Sequence, residues 1–111
     1  PLLAVDDLNT AALLCDHLAD RDPDAVHAVH AFAPDAGSTA RRDGEEALNV
    51  VRSRLGARAS VTLYRPEGDV APVVASLAAE TGASEVLVGR DGETARALRD
   101  RGLSVVAVQP R

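Results

Sequence analysis

The stretch LLAVDD, from Leu2 to Asp7, has two adjacent carboxylates at the end of a short, continuous apolar run. A run without polar residues is typical of a strand that is covered on both faces, as in a parallel sheet. Apolar residues then recur at helical spacing from Leu8 to Asp20, which predicts a helix directly after the strand. Asp6 and Asp7 are therefore predicted in a strand-to-helix loop, the place where parallel sheets bind their ligands.

The rest of the chain repeats this alternation. Further strands are predicted at residues 25–32, 60–64, 85–88 and 104–108, with a loop at 33–42. The helices between them are predicted to begin after Asp43 and end at Gly56, to begin after Asp69 and end at Gly82, and to span residues 93–101. This alternation predicts a single α/β domain over residues 1–111, with a doubly wound five-stranded parallel sheet. By analogy with such folds we expect the strand order 3-2-1-4-5, which reverses between strands one and four.

The composition argues against several classes of partner. The chain has a formal net charge of −5, whereas neutralising the phosphates of a nucleic acid needs a basic face. Phe32 and Tyr64 are its only aromatic residues, too few for base stacking. No apolar stretch approaches the roughly 20 residues that span a bilayer, and no signal-peptide pattern is present. We therefore expect a soluble, cytoplasmic protein without a nucleic-acid or membrane partner, beginning at Pro1 through processing or through excision from a longer chain.

The cysteine and histidine patterns predict no metal site. Cys15 is the only cysteine, which excludes an intramolecular disulfide, and its place on the apolar face of the first helix predicts a buried thiol. His27 and His30 lie three residues apart on a predicted strand and therefore point to opposite faces. No nucleophile and base stand in a catalytic pattern, so we expect no enzyme, or at most weak ATP hydrolysis.

The acid pair resembles that of receiver domains in two-component signalling, where such a pair holds Mg²⁺. Phosphoryl transfer in that family also needs an aspartate at the end of strand three and a lysine near the end of strand five. Strand three here ends in TLYR, residues 62–65, and the chain contains no lysine. A receiver-like signalling domain that cannot be phosphorylated remains an alternative.

The sequence resembles a second family over more of its length than it resembles the receiver domains. The chain resembles the universal stress proteins of the UspA type in AVD (4–6), HAF (30–32), EGD (67–69) and ASEVLVGRDG (83–92). These segments follow the family's order and span nearly the whole chain. The resemblance implies the adenine-nucleotide alpha hydrolase-like fold of that family. It also implies a shortened member that acts as a regulatory or binding module in the stress response, with an unidentified protein partner as a further possibility.

The resemblance also implies residues that contact a nucleotide. They are Asp6, Ala31, Gly89, Arg90 and Gly92. ATP or another adenine nucleotide would be the ligand, and a chain that binds ATP would be a nucleotide-binding switch, which is a second alternative. Against this, Asp91 and Glu93 add two carboxylates next to the expected phosphate position.

The phosphate motif of the family is incomplete in this sequence. Nucleotide-binding members carry G-x₂-G-x₉-G-[ST] after strand four, and Gly102 stands at the third glycine with Leu103 in place of the hydroxyl residue. Only two residues separate Gly102 from Val105, so the helix that crosses between strands four and five must lie before Gly102. Gly102 is therefore predicted to end that helix, not to begin a phosphate loop. We expect an incomplete nucleotide site and no firmly bound cofactor.

The last strand is predicted to form a dimer interface. It is long, uncharged and at the edge of the expected sheet, and an exposed edge of this kind pairs readily with another strand. Universal stress proteins commonly pair this strand across a two-fold axis, so the resemblance implies a homodimer. The interface residues would be Leu103, Val105, Val106, Ala107 and Val108.

Overall fold

The computed structural model describes residues 1–110, in which strands and helices alternate. The strands are β1 (Leu2–Ala4), β2 (Ala25–Val29), β3 (Ser60–Tyr64), β4 (Val86–Val88) and β5 (Val105–Ala107). The helices are α1 (Leu8–Leu18), α2 (Ser38–Leu55), α3 (Val70–Thr81) and α4 (Glu93–Asp100). Within the described residues, no helix is both long and apolar enough to cross a membrane.

The five strands form one parallel sheet in the order β3-β2-β1-β4-β5, as predicted. β1 lies in the centre, where Leu2 pairs with His27 of β2 on one side and with Val86 of β4 on the other. β1 and β4 are neighbours although a helix, two strands and two more helices separate them in the chain. The strand order therefore reverses between β1 and β4, and their carboxyl ends face a crevice.

Each face of the sheet carries its own apolar core. Leu3 and Val5 pack with α1 and α2 on one face, whereas Leu2 and Ala4 pack with α3 and α4 on the other. This division follows from the two-residue period of strand side chains. A strand covered on both sides needs apolar residues at every position, which explains the run before Asp6. The doubly wound α/β fold is thereby confirmed.

Helix α2 begins six residues earlier than predicted, and this part of the prediction was wrong. The helix begins at Ser38 after Gly37, so Asp43 lies inside the helix and does not cap it. Residues 38–40 are all exposed, so this first turn shows no apolar period from which a helix could be predicted. Arg41 fixes the turn instead, because its Nε donates to the carbonyl of Ala36 at 3.2 Å.

Strand β2 is three residues shorter than predicted, since it ends at Val29. Beyond it, the segments after β2 and β3 continue side by side to an isolated bridge between Phe32 and Glu67. The amide of Phe32 donates to the carbonyl of Pro66 at 2.8 Å, and the amide of Gly68 donates to the carbonyl of Phe32 at 3.0 Å. The segment after β2 thus stays hydrogen-bonded to the segment after β3, although it has separated from β1.

The ends of α3 and α4 fall close to their predicted positions. Gly82 follows α3 in the left-handed conformation with a φ of 68°. Asp69 precedes α3 as predicted, although its side chain makes no capping hydrogen bond. Gly102 has a φ of 86° after α4, and its amide donates to the carbonyl of Arg99 at 2.9 Å. The prediction that Gly102 ends a helix is confirmed.

Candidate nucleotide site

A small cavity of about 130 Å³ lies between the carboxyl ends of β1 and β4. Its lining residues come from the ends of both strands and from the start of α4: Ala4, Asp6, Val88, Gly89, Arg90, Gly92, Glu93 and Thr94. Four of the five residues predicted to contact a nucleotide are therefore together in one place. Ala31, the fifth, is not among the lining residues.

The two carboxylates after β1 have different roles. Asp7 is the N-cap of α1, because its Oδ1 accepts a hydrogen bond of 2.8 Å from the amide of Thr10. Asp6 lies on the cavity wall. Partial burial raises the pKa of the Asp6 carboxyl above its ordinary value of 3.8, as does the charge of Asp7, while His30 and Arg90 lower it. Asp6 is thus an acceptor close to two cationic or titratable side chains.

Ala31 presents an unpaired main-chain donor and acceptor near this cavity. The amides of His30 and Phe32 donate to the carbonyls of Tyr64 and Pro66 on the β3 side, so the groups of the residue between them face the β1 side. The carbonyl of Val5, which a continued ladder would use, accepts a 2.8 Å hydrogen bond from Nδ1 of His30 instead. Within residues 1–110 the N–H and C=O of Ala31 have no hydrogen-bond partner.

Ala31 also lies on the same face of the sheet as the cavity. Val29, two residues earlier, packs with α3 and α4, and Ala4 of the cavity wall packs in the same core. Side chains two residues apart along an extended chain share a face. The register that pairs Ala4 with Val29, continued by two residues, puts Ala31 opposite Asp6, and the free N–H and C=O of Ala31 face the β1 side.

The loop between β4 and α4 is held close to α1. A Cβ added at Gly89 would lie 2.7 Å from Cγ2 of Thr10, so any larger residue there would have to displace the Thr10 side chain. Gly92 is the N-cap of α4 and provides no side-chain cap. The first amides of α4, at Glu93 and Thr94, therefore have no partner within the helix. Both residues line the cavity, and free amides at a helix start attract anions.

The structure changes the expected role of Asp91. The sequence predicted that Asp91 and Glu93 would both oppose an anion, but only Glu93 lines the cavity. Asp91 is bound to the side chain of Arg99 by a 2.6 Å contact between Oδ1 and Nη1. The positive side chain balances the charge of Asp91, so one of the two predicted obstacles is removed. Sequence reasoning missed Arg99 because its partner lies eight residues away across the start of α4.

Gly102 lies at the far end of α4 from the cavity. It forms the helix end together with Leu103, whose amide donates to the carbonyl of Leu98 at 3.2 Å. The Gly102 amide likewise donates to a carbonyl of the helix end, that of Arg99, and is therefore not free for a phosphate. Because α4 has eight residues, at about 1.5 Å per residue it separates Gly102 from Gly92 by more than 10 Å.

His27 and His30 have structural hydrogen-bond partners, and Cys15 is buried. Nδ1 of His27 lies 2.9 Å from the hydroxyl of Tyr64, and His30 bonds Val5. Cys15 is 1% exposed, and its burial raises the pKa of the thiol, an effect that Arg54 reduces. Among residues 1–110 no group of three or more His, Cys, Asp and Glu side chains is placed to hold a metal ion.

The edge of β5 is open along part of its length. The carbonyl of Ser104 accepts a hydrogen bond from β4, and the amide of Val108 donates one to β4. The main-chain groups of Val105 and Ala107 therefore face outward. Next to the end of this strand, a groove of about 590 Å³ lies between α1 and the segment after β5. Its walls include Leu13, Val108 and Pro110.

Comparisons with known proteins identify the fold. No protein-family model and no curated sequence matches the chain. A universal stress protein from Burkholderia pseudomallei superposes with a TM-score of 0.72 at 21% identity, over 96% of this chain and 93% of that one. This chain has the fold of the universal stress proteins. A universal stress protein from Archaeoglobus fulgidus superposes with a TM-score of 0.69 at 17% identity, over 97% of this chain and 91% of that one.

A third solved structure is a universal stress protein in complex with cAMP. It superposes with a TM-score of 0.69 at 14% identity, over 96% of this chain and 94% of that chain. The universal stress protein fold that the sequence resemblance implied is confirmed across nearly the whole chain.

Proposed function

We propose that this chain is a small universal stress protein that acts as a binding and regulatory module, not as an enzyme. Its ligand would be an adenine nucleotide with a single phosphate. The observation that carries this proposal is that Asp6, the unpaired main chain of Ala31 and the free amides of α4 lie at one edge of the sheet. The neighbour in complex with cAMP supports the same ligand class.

Each part of this edge fits one part of a nucleotide. The N–H and C=O of Ala31 form an adjacent donor and acceptor, which complement the N1 acceptor and the N6 amino donor of adenine. The Asp6 carboxylate can accept hydrogen bonds from ribose hydroxyls. The amides of Glu93 and Thr94 can donate to one phosphate, and Arg90 supplies positive charge beside them.

The space available favours one phosphate over three. The cavity between Asp6 and α4 has a volume of about 130 Å³ and holds only part of a nucleotide, since pockets for whole ligands measure roughly 300 to 1,000 Å³. Gly102, which would begin a phosphate loop, ends a helix instead. A second and third phosphate would therefore extend past Glu93 into solvent. There they would gain no hydrogen bond and would be repelled by the Glu93 carboxylate. The site is incomplete for ATP and adequate for a monophosphate.

Titration calorimetry with AMP, cAMP and ATP tests this proposal. We expect a monophosphate to bind at least as tightly as ATP. Asp6→Asn should weaken binding by about 10-fold or more, because hydrogen bonds to a charged group are worth about 1.5–3 kcal/mol. Ala31→Pro removes one N–H and should weaken it by about 2- to 10-fold. Asp24→Asn, an exposed carboxylate before β2, is the matched control and should change nothing.

Two results would contradict the proposal. ATP that binds 10-fold more tightly than AMP would show a triphosphate site and favour the switch interpretation. The absence of any binding heat with millimolar AMP, cAMP and ATP would show that the chain is a binding module that takes no nucleotide. Mass spectrometry of small molecules released from the denatured protein provides an independent measurement.

We further propose that the module is a homodimer paired through β5. The support is the outward-facing main chain of Val105 and Ala107, together with the open groove beside it. Two copies related by a two-fold axis would place the same strand and the same groove at the interface. Leu103, Val106 and Val108 would contribute apolar contacts on the two faces of the paired strands.

A further inference from the structure

One arginine connects the cavity loop with the edge of β5. Nη1 of Arg99 contacts Oδ1 of Asp91 at 2.6 Å, and Nη2 of the same side chain donates to the carbonyl of Val105 at 3.3 Å. Asp91 lies between Gly89 and Gly92, which line the cavity. We call this set of Arg99, Asp91 and Val105 the Arg99 bridge.

The Arg99 bridge covers a group that strand pairing needs. β5 offers a second strand the outward N–H and C=O groups of Val105 and Ala107. A strand added to this edge must donate an amide to the carbonyl of Val105, which already accepts from Arg99. Charged side chains over an exposed edge are a common protection against uncontrolled pairing.

We propose that the Arg99 bridge restrains dimerisation, so that β5 pairs with a second copy of this chain only when Arg99 leaves the carbonyl of Val105. This inference rests on the homodimer proposed above. Asp91 holds the guanidinium in place, and because Asp91 belongs to the cavity loop, a ligand that moves the loop also moves the bridge. Arg99 is thus a positioning residue between the proposed ligand site and the proposed interface.

The expected size of the effect follows from exposure and symmetry. The side chains of Arg99 and Asp91 are 41% and 60% exposed, and such surface pairs change an equilibrium by about 2- to 5-fold. A dimer with two-fold symmetry contains two bridges, and both must open. The two factors multiply, so removal of the bridge should tighten the dimer by about 4- to 25-fold.

Sedimentation equilibrium on the purified chain tests this inference through the dimer dissociation constant. Arg99→Ala should lower it by about 4- to 25-fold, and Asp91→Asn should lower it by a smaller factor because Arg99 loses its anchor. Arg96→Ala removes an identical charge from the exposed side of the same helix and should leave the constant unchanged. Arg99→Ala combined with Ala107→Pro should return the chain to the monomer, because Ala107→Pro deletes an outward N–H of β5.

The outcomes separate the two proposals. Dimers of equal strength in the wild type, Arg99→Ala and Arg96→Ala overturn the Arg99 bridge and leave the homodimer in place. Monomers in all variants overturn the homodimer, and the restraint with it. A dimer of Arg99→Ala that persists with Ala107→Pro shows association through another surface and also overturns the inference. Circular dichroism melts confirm that each variant is folded.

Discussion

At the scale of single residues, neighbouring side chains of the same type have separate tasks. Asp7 caps α1 through the amide of Thr10, whereas Asp6 remains on the cavity wall. The sequence predicts both carboxylates at a strand end. It does not predict this division, because the division depends on the direction in which the chain turns into α1. The orientation of Asp91 toward Arg99 was also unpredictable, because it depends on how the loop after β4 turns into α4.

Asp6→Asn should stabilise the chain at neutral pH and not at low pH. The pKa of Asp6 is raised by partial burial and by Asp7, so the folded state binds its proton more tightly than the unfolded state does. That contribution to stability is complete below the ordinary pKa of 3.8 and is lost as the pH rises through the folded value.

Because the burial of Asp6 is only partial and its side chain still reaches water, solvent screens the effect, and we expect a rise in melting temperature of about 1–3 °C at pH 7. Thermal melts at pH 3 and pH 7 measure it, with Asp24→Asn as the control. A rise of equal size at both pH values would show that ionisation of Asp6 is not the cause.

Gly44→Ala should destabilise the chain although it replaces a glycine inside a helix. In an exposed helix this change stabilises by about 1 kcal/mol. Here a Cβ would lie 2.6 Å from Cδ2 of His30 and 2.8 Å from Cε1 of Phe32, and such overpacking costs about 1–3 kcal/mol.

We expect a net loss of about 1 kcal/mol, measured by urea unfolding. Ser53→Ala, on the exposed side of the same helix, should change stability by less than about 0.5 kcal/mol. A Gly44→Ala variant more stable than wild type would mean that α2 can move away from β2 at no cost.

At the scale of helices and strands, the accuracy of sequence reasoning depends on whether an element's end carries a local sequence signal. β3 was predicted with its observed ends, and Gly82 and Gly102 mark helix ends as predicted. The start of α2 was missed because its first turn is exposed and has no apolar period. The unpaired N–H and C=O of Ala31 could not be predicted either. They arise because the segment after β2 separates from β1 and stays bonded to the β3 side.

Ala107→Pro tests whether the outward edge of β5 is used. Proline deletes one N–H, and this N–H faces away from β4, so the pairing of β4 with β5 remains intact. We expect the melting temperature to change little and the dimer dissociation constant to rise by about 10-fold or more, since two N–H groups are lost per dimer. Light scattering over a concentration series measures the constant. An unchanged constant would place the interface elsewhere.

At the scale of the whole molecule, two cores on one short sheet make the fold dependent on its central strands. α1 packs over β1 and β2 in one core, and α3 and α4 pack over β1 and β4 in the other. Both cores therefore lose support if β1 separates from its neighbours. A unit of this size without an independent part should unfold in one cooperative transition.

Cys15 provides a direct measurement of that transition. It is the only cysteine, it is 1% exposed in the core beneath α1, and burial raises its pKa. A thiol reagent should therefore react only after opening of the fold, and a domain of this size has a stability of about 5–15 kcal/mol. We expect labelling in buffer to be at least about 1,000-fold slower than in concentrated urea, and to accelerate along the same urea midpoint as circular dichroism. Labelling that accelerates well below this midpoint would show that α1 opens alone, and the cores would then be energetically separate.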